Sequence, residues 1–303
     1  MLKNRVPGSR NRVRSCLRVI ASSLLIASPS FGKDVVQNRT AKAPLAIVKN
    51  LPFAEVDGKE ILLDLRVPEN VQRPPLVVWI HGGGWEIGDK KKCRSCWLVD
   101  KGYAVASINY RLSPKSIFPA QIHDCRAAIR WLRANQNTYG YDASRIAVAG
   151  SSAGGHLAAL LATSGGVEEL EGTVGENPDE SSRIQAAVSI SGFSDLDASY
   201  ASVPDPRITR LLGGTPADRP EQSHLASPIH FVGPGDAPLL LIHGEEDPVV
   251  DPEQSVQLHR AYQQAKLESS LVMVPGTRHT DLSTRDPKLR KQVEQFLDRH
   301  MKP

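Results

Sequence analysis

The chain has 303 residues, 40% of them apolar and 23% charged, enough for one large α/β domain with a full core, and a composition that excludes disordered and membrane-embedded classes. Its net charge of +4 sits at the start: Lys3, Arg5, Arg10, Arg12, Arg14 and Arg18 precede residue 33 with no acidic residue among them, and without these six the remaining 31 basic residues face 33 acidic ones, a net of −2. A body with that balance offers phosphates no cluster of cations, which excludes nucleic acid as a partner.

The basic start runs into a short apolar stretch over residues 19–27, followed by the small residues Ser30 and Gly32 ahead of Lys33. This is the pattern of a secretory signal over residues 1–32. The stretch falls short of the roughly 20 apolar residues that span a bilayer, so no stable membrane anchor is expected after cleavage. The expected destination is secreted or periplasmic; an Arg-rich, acid-free start also suits a mitochondrial transit segment, which is the alternative. Residues 33–45 read as a flexible mature N-terminus and residues 46–303 as a single domain.

From Ile47 to Val67 apolar and polar residues alternate about Asp57-Gly58, which predicts an antiparallel hairpin. Three β-branched runs follow at residues 76–80, 103–108 and 145–149, and three more at 187–190, 239–242 and 271–274. Most are separated by helical patterns, and each reads as a strand buried on both faces. The clearest helix is predicted over residues 119–137, where Ile122, Cys125, Ile129 and Leu132 form one stripe; another, Ala-rich, follows Ser152. Residues 165–182 and 193–235 lack periodicity and are expected to be loops or a small lid. The fold class is therefore α/β: a mainly parallel, about eight-stranded sheet with helices on both faces.

Chemistry-bearing residues gather where these strands end. Gly150-Ser151-Ser152-Ala153-Gly154 joins a predicted strand to a predicted helix. A sharp turn there strains the central serine, requires glycine on both flanks and makes Ser152 a candidate nucleophile. A hydroxyl needs a base. His279 lies in the loop after the last predicted strand and Asp247 in the loop after the strand before it, giving the order Ser, acid, His. Glu246 and Asp251 are rivals for the acid, but Asp247 sits at the turn before Pro248. His81-Gly82-Gly83-Gly84-Trp85 follows the strand at 76–80. Successive glycines let backbone N–H groups approach a substrate, and Gly83, Gly84 and Ala153 are the candidate oxyanion donors. His81 is expected to fix this loop and Trp85 to wall the substrate pocket. The loop lacks the Gly-Lys-Ser/Thr and G-x-G-x-x-G patterns of nucleotide sites. Cys93-x-x-Cys96 has no second such pair or His pair nearby, so no metal is expected. Cys93, Cys96 and Cys125 together allow one internal bridge and one thiol.

With His81-Gly-Gly-Gly-Trp85, Tyr110-Arg-Leu-Ser113, Phe118-Pro-Ala-Gln-Ile122, Ala128-Ile-Arg-Trp-Leu-Arg133, Gly150-Ser-Ser-Ala-Gly-Gly-His156 and His243-Gly-Glu-Glu-Asp247 in order, the chain resembles the α/β-hydrolase superfamily over about residues 46–299. Within it the chain resembles the carboxylesterases related to hormone-sensitive lipase and the bacterial feruloyl-esterase-like (BD-FAE) branch. The resemblance implies hydrolysis of carboxylic esters by a Ser-His-Asp mechanism with no metal or organic cofactor. The implied partner is a small-molecule or polysaccharide ester, acetylated or feruloylated sugars included. It also implies that Cys93 is the partner of Cys125. A prolyl-oligopeptidase-like exopeptidase would usually need a propeller domain that this length does not accommodate, and a lipase would want a longer apolar lid. A binding protein on an inactive scaffold would be expected to lack a member of the trio, and here none is missing.

Overall fold

The computed structural model describes residues 45–279 and 286–302, all within one compact unit spanning Lys42–Pro303. The signal expected over 1–32 and almost all of the expected 33–45 segment lie outside the described residues. The chain opens with strands β1 (Leu45–Val56) and β2 (Lys59–Pro68), paired antiparallel. Asp57 and Gly58 link them with φ of 51° and 69°, the double positive φ of the two-residue turn that matches strand twist.

Six further strands are β3 (Pro75–Ile80), β4 (Ala104–Ile108), β5 (Asp142–Ser151), β6 (Ala186–Ile190), β7 (Leu239–Gly244) and β8 (Ser269–Val274). They form one eight-stranded sheet in the order β1-β2-β4-β3-β5-β6-β7-β8. β2 meets β4 antiparallel, and every pairing from β4 to β8 is parallel. Every residue of β3, β4, β6 and β7 is buried, which is why these runs are almost continuously apolar instead of alternating.

The helices are α1 (Ala120–Ala134), α2 (Gln136–Tyr139), α3 (Ala153–Thr163), α4 (Glu168–Glu171), α5 (Leu196–Ser202), α6 (Pro206–Leu212), α7 (Pro220–Leu225), α8 (Glu253–Gln264) and α9 (Pro287–Met301). On one side of the sheet Leu76, Val78 and Ile80 pack with Ile122 of α1, Leu157 of α3 and Leu258 of α8. On the other, Val77 and Trp79 pack with Leu98, Val99 and the Leu289, Val293, Phe296 and Leu297 stripe of α9. No helix among the described residues is long and apolar enough to cross a membrane.

The segment 193–235, expected as loops or a small lid, holds the helices α5, α6 and α7, each only six or seven residues long. Asp195 and Asp205 cap α5 and α6, and Pro206 and Pro220 occupy first-turn positions. The cysteine pairing implied by the resemblance is corrected. Cys93 bonds Cys96, and Cys125 is a free, buried thiol. The physical reason is the sheet itself: Cys125 packs in the α1-side core, whereas Cys93 and Cys96 pack against the α9-side core.

Candidate active site

Parallel pairing brings the carboxyl ends of β3, β5, β6, β7 and β8 side by side, with Ile80 opposite Gly150 and Ser151 opposite Ile190. Loops leaving those ends can therefore share one site. Ser152 stands between β5 and α3 with φ 57° and ψ −122°, a conformation costly for a non-glycine residue. Its N–H donates to Ile190 O at 2.8 Å, and its carbonyl accepts from His156 N at 2.9 Å, so backbone bonds on both sides hold the strained turn. The flanking glycines are obligatory. A Cβ on Gly150 would fall 2.1 Å from Gly154 O, and one on Gly154 would fall 2.2 Å from Ile80 O.

The glycine loop lies against this turn: a Cβ on Gly82 would be 3.2 Å from Ser152 Cβ. Gly83 and Gly84 have φ of 120° and 60°. Gly83 O accepts from the N–H groups of Glu86 and Ile87, both at 3.1 Å, which curls the loop. The N–H groups of Gly83, Gly84 and Ala153 have no protein acceptor among the described residues, and remain available for a developing negative charge. His81 fixes the loop as expected: its Nδ1 is 2.9 Å from Gly82 O, its ring stacks on Tyr110, and the Tyr110 hydroxyl donates to His81 O at 3.0 Å.

Trp85 does not wall a pocket. Its side chain is fully buried, its indole N–H donates to His156 Nδ1 at 3.1 Å, and its ring meets His156 edge-on and Phe193 at a tilt. The indole needs a buried acceptor and finds one beneath the loop instead of at the substrate face. Trp85 itself carries a φ of 62°, so its anchoring holds the glycine loop in a strained path.

Asp247 and His279 are brought together. His279 Nδ1 lies 2.7 Å from Asp247 Oδ2. The acid and histidine loops are laced by the N–H groups of Glu245 and Glu246, which donate to Val274 O and Thr277 O, both at 3.1 Å. Gly244 permits the close approach, because a Cβ there would be 2.2 Å from Thr277 O. Asp247 Oδ1 accepts from Val249 N at 2.9 Å and Val250 N at 3.1 Å. His243 Nε2 lies 3.0 Å from Val250 O and 3.3 Å from Asp247 Oδ2, while its Nδ1 is 2.7 Å from Ser255 Oγ. The carbonyl can only accept, so the His243 proton sits on Nε2 and is shared with the carboxylate. Burial pushes the Asp247 carboxyl up, but the bonds from His243, His279 and the two amides outweigh it and hold the group well below the usual carboxylate range.

The rivals fall away: Glu246 and Asp251 are exposed, and Asp251 accepts from Glu253 N. Among the described residues the Ser152 hydroxyl makes no hydrogen bond, to His279 or to any other group. Such contacts are commonly long without substrate. One trio of metal-ligand type, Asp195, Asp197 and His230, has its ligand atoms within 4.8 Å of one another. Its carboxylates already accept from Ala198 N and Ser223 Oγ, and His230 stacks on His224.

The sheet order, the strained serine between strand and helix, and the acid and histidine loops after β7 and β8 define an α/β-hydrolase fold. The BD-FAE family model matches residues 63–262, well over half of the chain, and the chain belongs to that family. It is 33% identical over 265 residues to a Mycobacterium tuberculosis protein named Esterase LipQ, covering 83% of this chain and 62% of that one. It is 30% identical over 243 residues to an ethyl acetate hydrolase of Pseudomonas putida, covering 70% of each. Its structure matches a truncated carbohydrate esterase from gut microbiota with a TM-score of 0.79 and 30% identity, over 86% of this chain and 98% of that one. The chain spans 52% to 62% of the length of three mycobacterial relatives it matches.

Proposed function

We propose that the chain is a serine carboxylesterase acting on short-acyl or carbohydrate-linked (acetyl or feruloyl) esters through an acyl-enzyme on Ser152. The observation that carries this reading is the His279–Asp247 hydrogen bond in the loops after β7 and β8, at the same carboxyl end of the sheet as the strained Ser152 turn and the glycine loop against it. With Nδ1–H engaged by Asp247, the Nε2 lone pair of His279 is the acceptor for the Ser152 proton. Attack on the carbonyl moves its electron pair onto oxygen, which accepts from the N–H groups of Gly83, Gly84 and Ala153. His279 then protonates the departing alcohol, and water repeats the cycle to release the acid. The relatives named ethyl acetate hydrolase and carbohydrate esterase support the two substrate types. Ser152→Ala is expected to abolish turnover of p-nitrophenyl acetate while the protein stays folded, and undiminished turnover would refute the assignment.

The proposal extends to location, secreted or periplasmic without a stable membrane anchor. The Cys93–Cys96 disulfide supports an oxidising compartment. N-terminal sequencing is expected to find the exported protein starting near Lys33; an unprocessed intracellular chain would contradict it.

A further inference from the structure

The glycine loop leaves β3 at Ile80 and returns to the body of the protein at Lys90, and its two limbs brace each other. Gly83 O is held by the N–H groups of Glu86 and Ile87. Gly88 lies against the entry of the loop, because a Cβ there would be 2.2 Å from His81 Nδ1 and 2.6 Å from Gly82 O. The exit limb therefore sets the path of the limb that carries the Gly83 and Gly84 N–H groups. It is exposed at Ile87 and Gly88 and belongs to no helix or strand. With no ladder of its own, it depends on the residue where it ends.

That residue is anchored through its N–H, its carbonyl and its ammonium. Lys90 N–H donates to Asn109 Oδ1 at 2.7 Å, and Lys90 O accepts from Ser107 Oγ at 2.7 Å, which fixes its backbone to the end of β4. Its Nζ donates to Asp64 Oδ1 at 2.6 Å and to Asn50 Oδ1 at 2.7 Å. Asp64 belongs to β2 and Asn50 to β1, and the Asn50 N–H donates to the same Asp64 oxygen at 2.9 Å. Asn50 has a φ of 57° and stands where the pairing of β1 with β2 shifts register. Both charged side chains are only 3% exposed. Burying an ammonium and a carboxylate is costly, and apolar side chains would hold the hairpin to the sheet without that cost. What the charged pair adds is direction: hydrogen bonds at fixed angles admit one placement of Lys90. The hairpin, which holds no member of the proposed trio, thereby reaches the oxyanion donors.

Resting on the esterase reading above, we infer that Lys90, locked by Asp64 and Asn50 of the hairpin, is a positioning residue for the proposed reaction: it fixes the exit of the glycine loop and with it the direction of the Gly83 and Gly84 N–H groups. Lys90→Met/Asp64→Asn removes the ion pair without leaving a buried charge alone. With p-nitrophenyl acetate, well below the melting temperature, kcat and kcat/KM are expected to fall together by about 10- to 100-fold while KM stays within about twofold, because misplaced oxyanion donors are felt in the transition state. Affinity for phenylboronic acid, whose tetrahedral adduct on Ser152 sets a negative oxygen at the same donors, is expected to fall by a similar factor. A folded double variant whose kcat and boronate affinity stay within about twofold of wild type, even with a lower melting temperature, would overturn the positioning role and leave the esterase reading standing. A rise in KM alone would overturn it equally. If the double variant does not fold, Asn109→Ala, which frees only the Lys90 N–H, carries the test: a fall of about threefold or more in both quantities is expected, and unchanged values would overturn the role. A wild type without esterase activity would remove the reading beneath it.

Discussion

Asp247 accepts from two backbone amides and two imidazoles while its side chain is fully buried. Because these bonds depress its folded pKa, the stability it contributes is present above the unfolded value of about 3.9 and is lost only as pH falls through the lower folded value. The carboxylate therefore stays charged throughout the neutral and mildly acidic range, and protonation of Asp247 does not set the acid limb of the rate profile there. Asp247→Asn can turn an amide N–H toward His279 and place the imidazole proton on Nε2. A fall in kcat on the order of 1,000- to 10,000-fold is expected, read by steady-state kinetics at pH 7; a loss below tenfold would argue against the tautomer-holding role. The sharp turn at Ser152 and the pairing of Asp247 with His279 were legible because a strand-end serine between glycines and two late-loop polar residues leave local marks. Trp85 was misread because its neighbours His156 and Phe193 come from α3 and the loop after β6, contacts that no local pattern records.

At the scale of elements, His156 of α3 ties the glycine loop to the end of α7. Its Nδ1 accepts from Trp85 beneath the glycine loop, so its Nε2–H must donate to Ala226 O, 2.6 Å away at the end of α7. Complete burial pushes its pKa down to about 4, with the Ala226 bond opposing weakly. A histidine lowered on folding stabilises the native state above its unfolded pKa of about 6.5 and withdraws that stability as pH falls toward 4. Wild-type melting temperature is therefore expected to drop over that window. His156→Gln, which keeps a donor and an acceptor without titrating, is expected to be less stable at pH 7 and to show a shallower drop; parallel pH curves would contradict this. The short helices α5 to α7 were not legible as helices, since six or seven residues hardly show a 3.6-residue period, although Asp205-Pro206 and Gly213 marked the ends of α6.

Across the whole molecule, the α/β class, the hairpin turn and the eight-stranded, mainly parallel sheet were legible because β-branched runs and intervening helical stripes repeat over some 200 residues. Strand order and cysteine pairing were not, because both depend on which side of the sheet each connection crosses. That crossing puts Cys125 in one core and the Cys93–Cys96 pair beside the other. The same crossings deliver Ser152, Asp247 and His279 to one edge from positions up to 127 residues apart in the numbering. The most direct test is intact-mass and peptide mapping after reaction with a p-nitrophenyl alkylphosphonate, which captures an activated serine. One adduct on the peptide carrying Ser152, formed in step with loss of esterase activity and absent from Ser152→Ala, is the expected result. An adduct on another residue accompanying that loss would contradict the account.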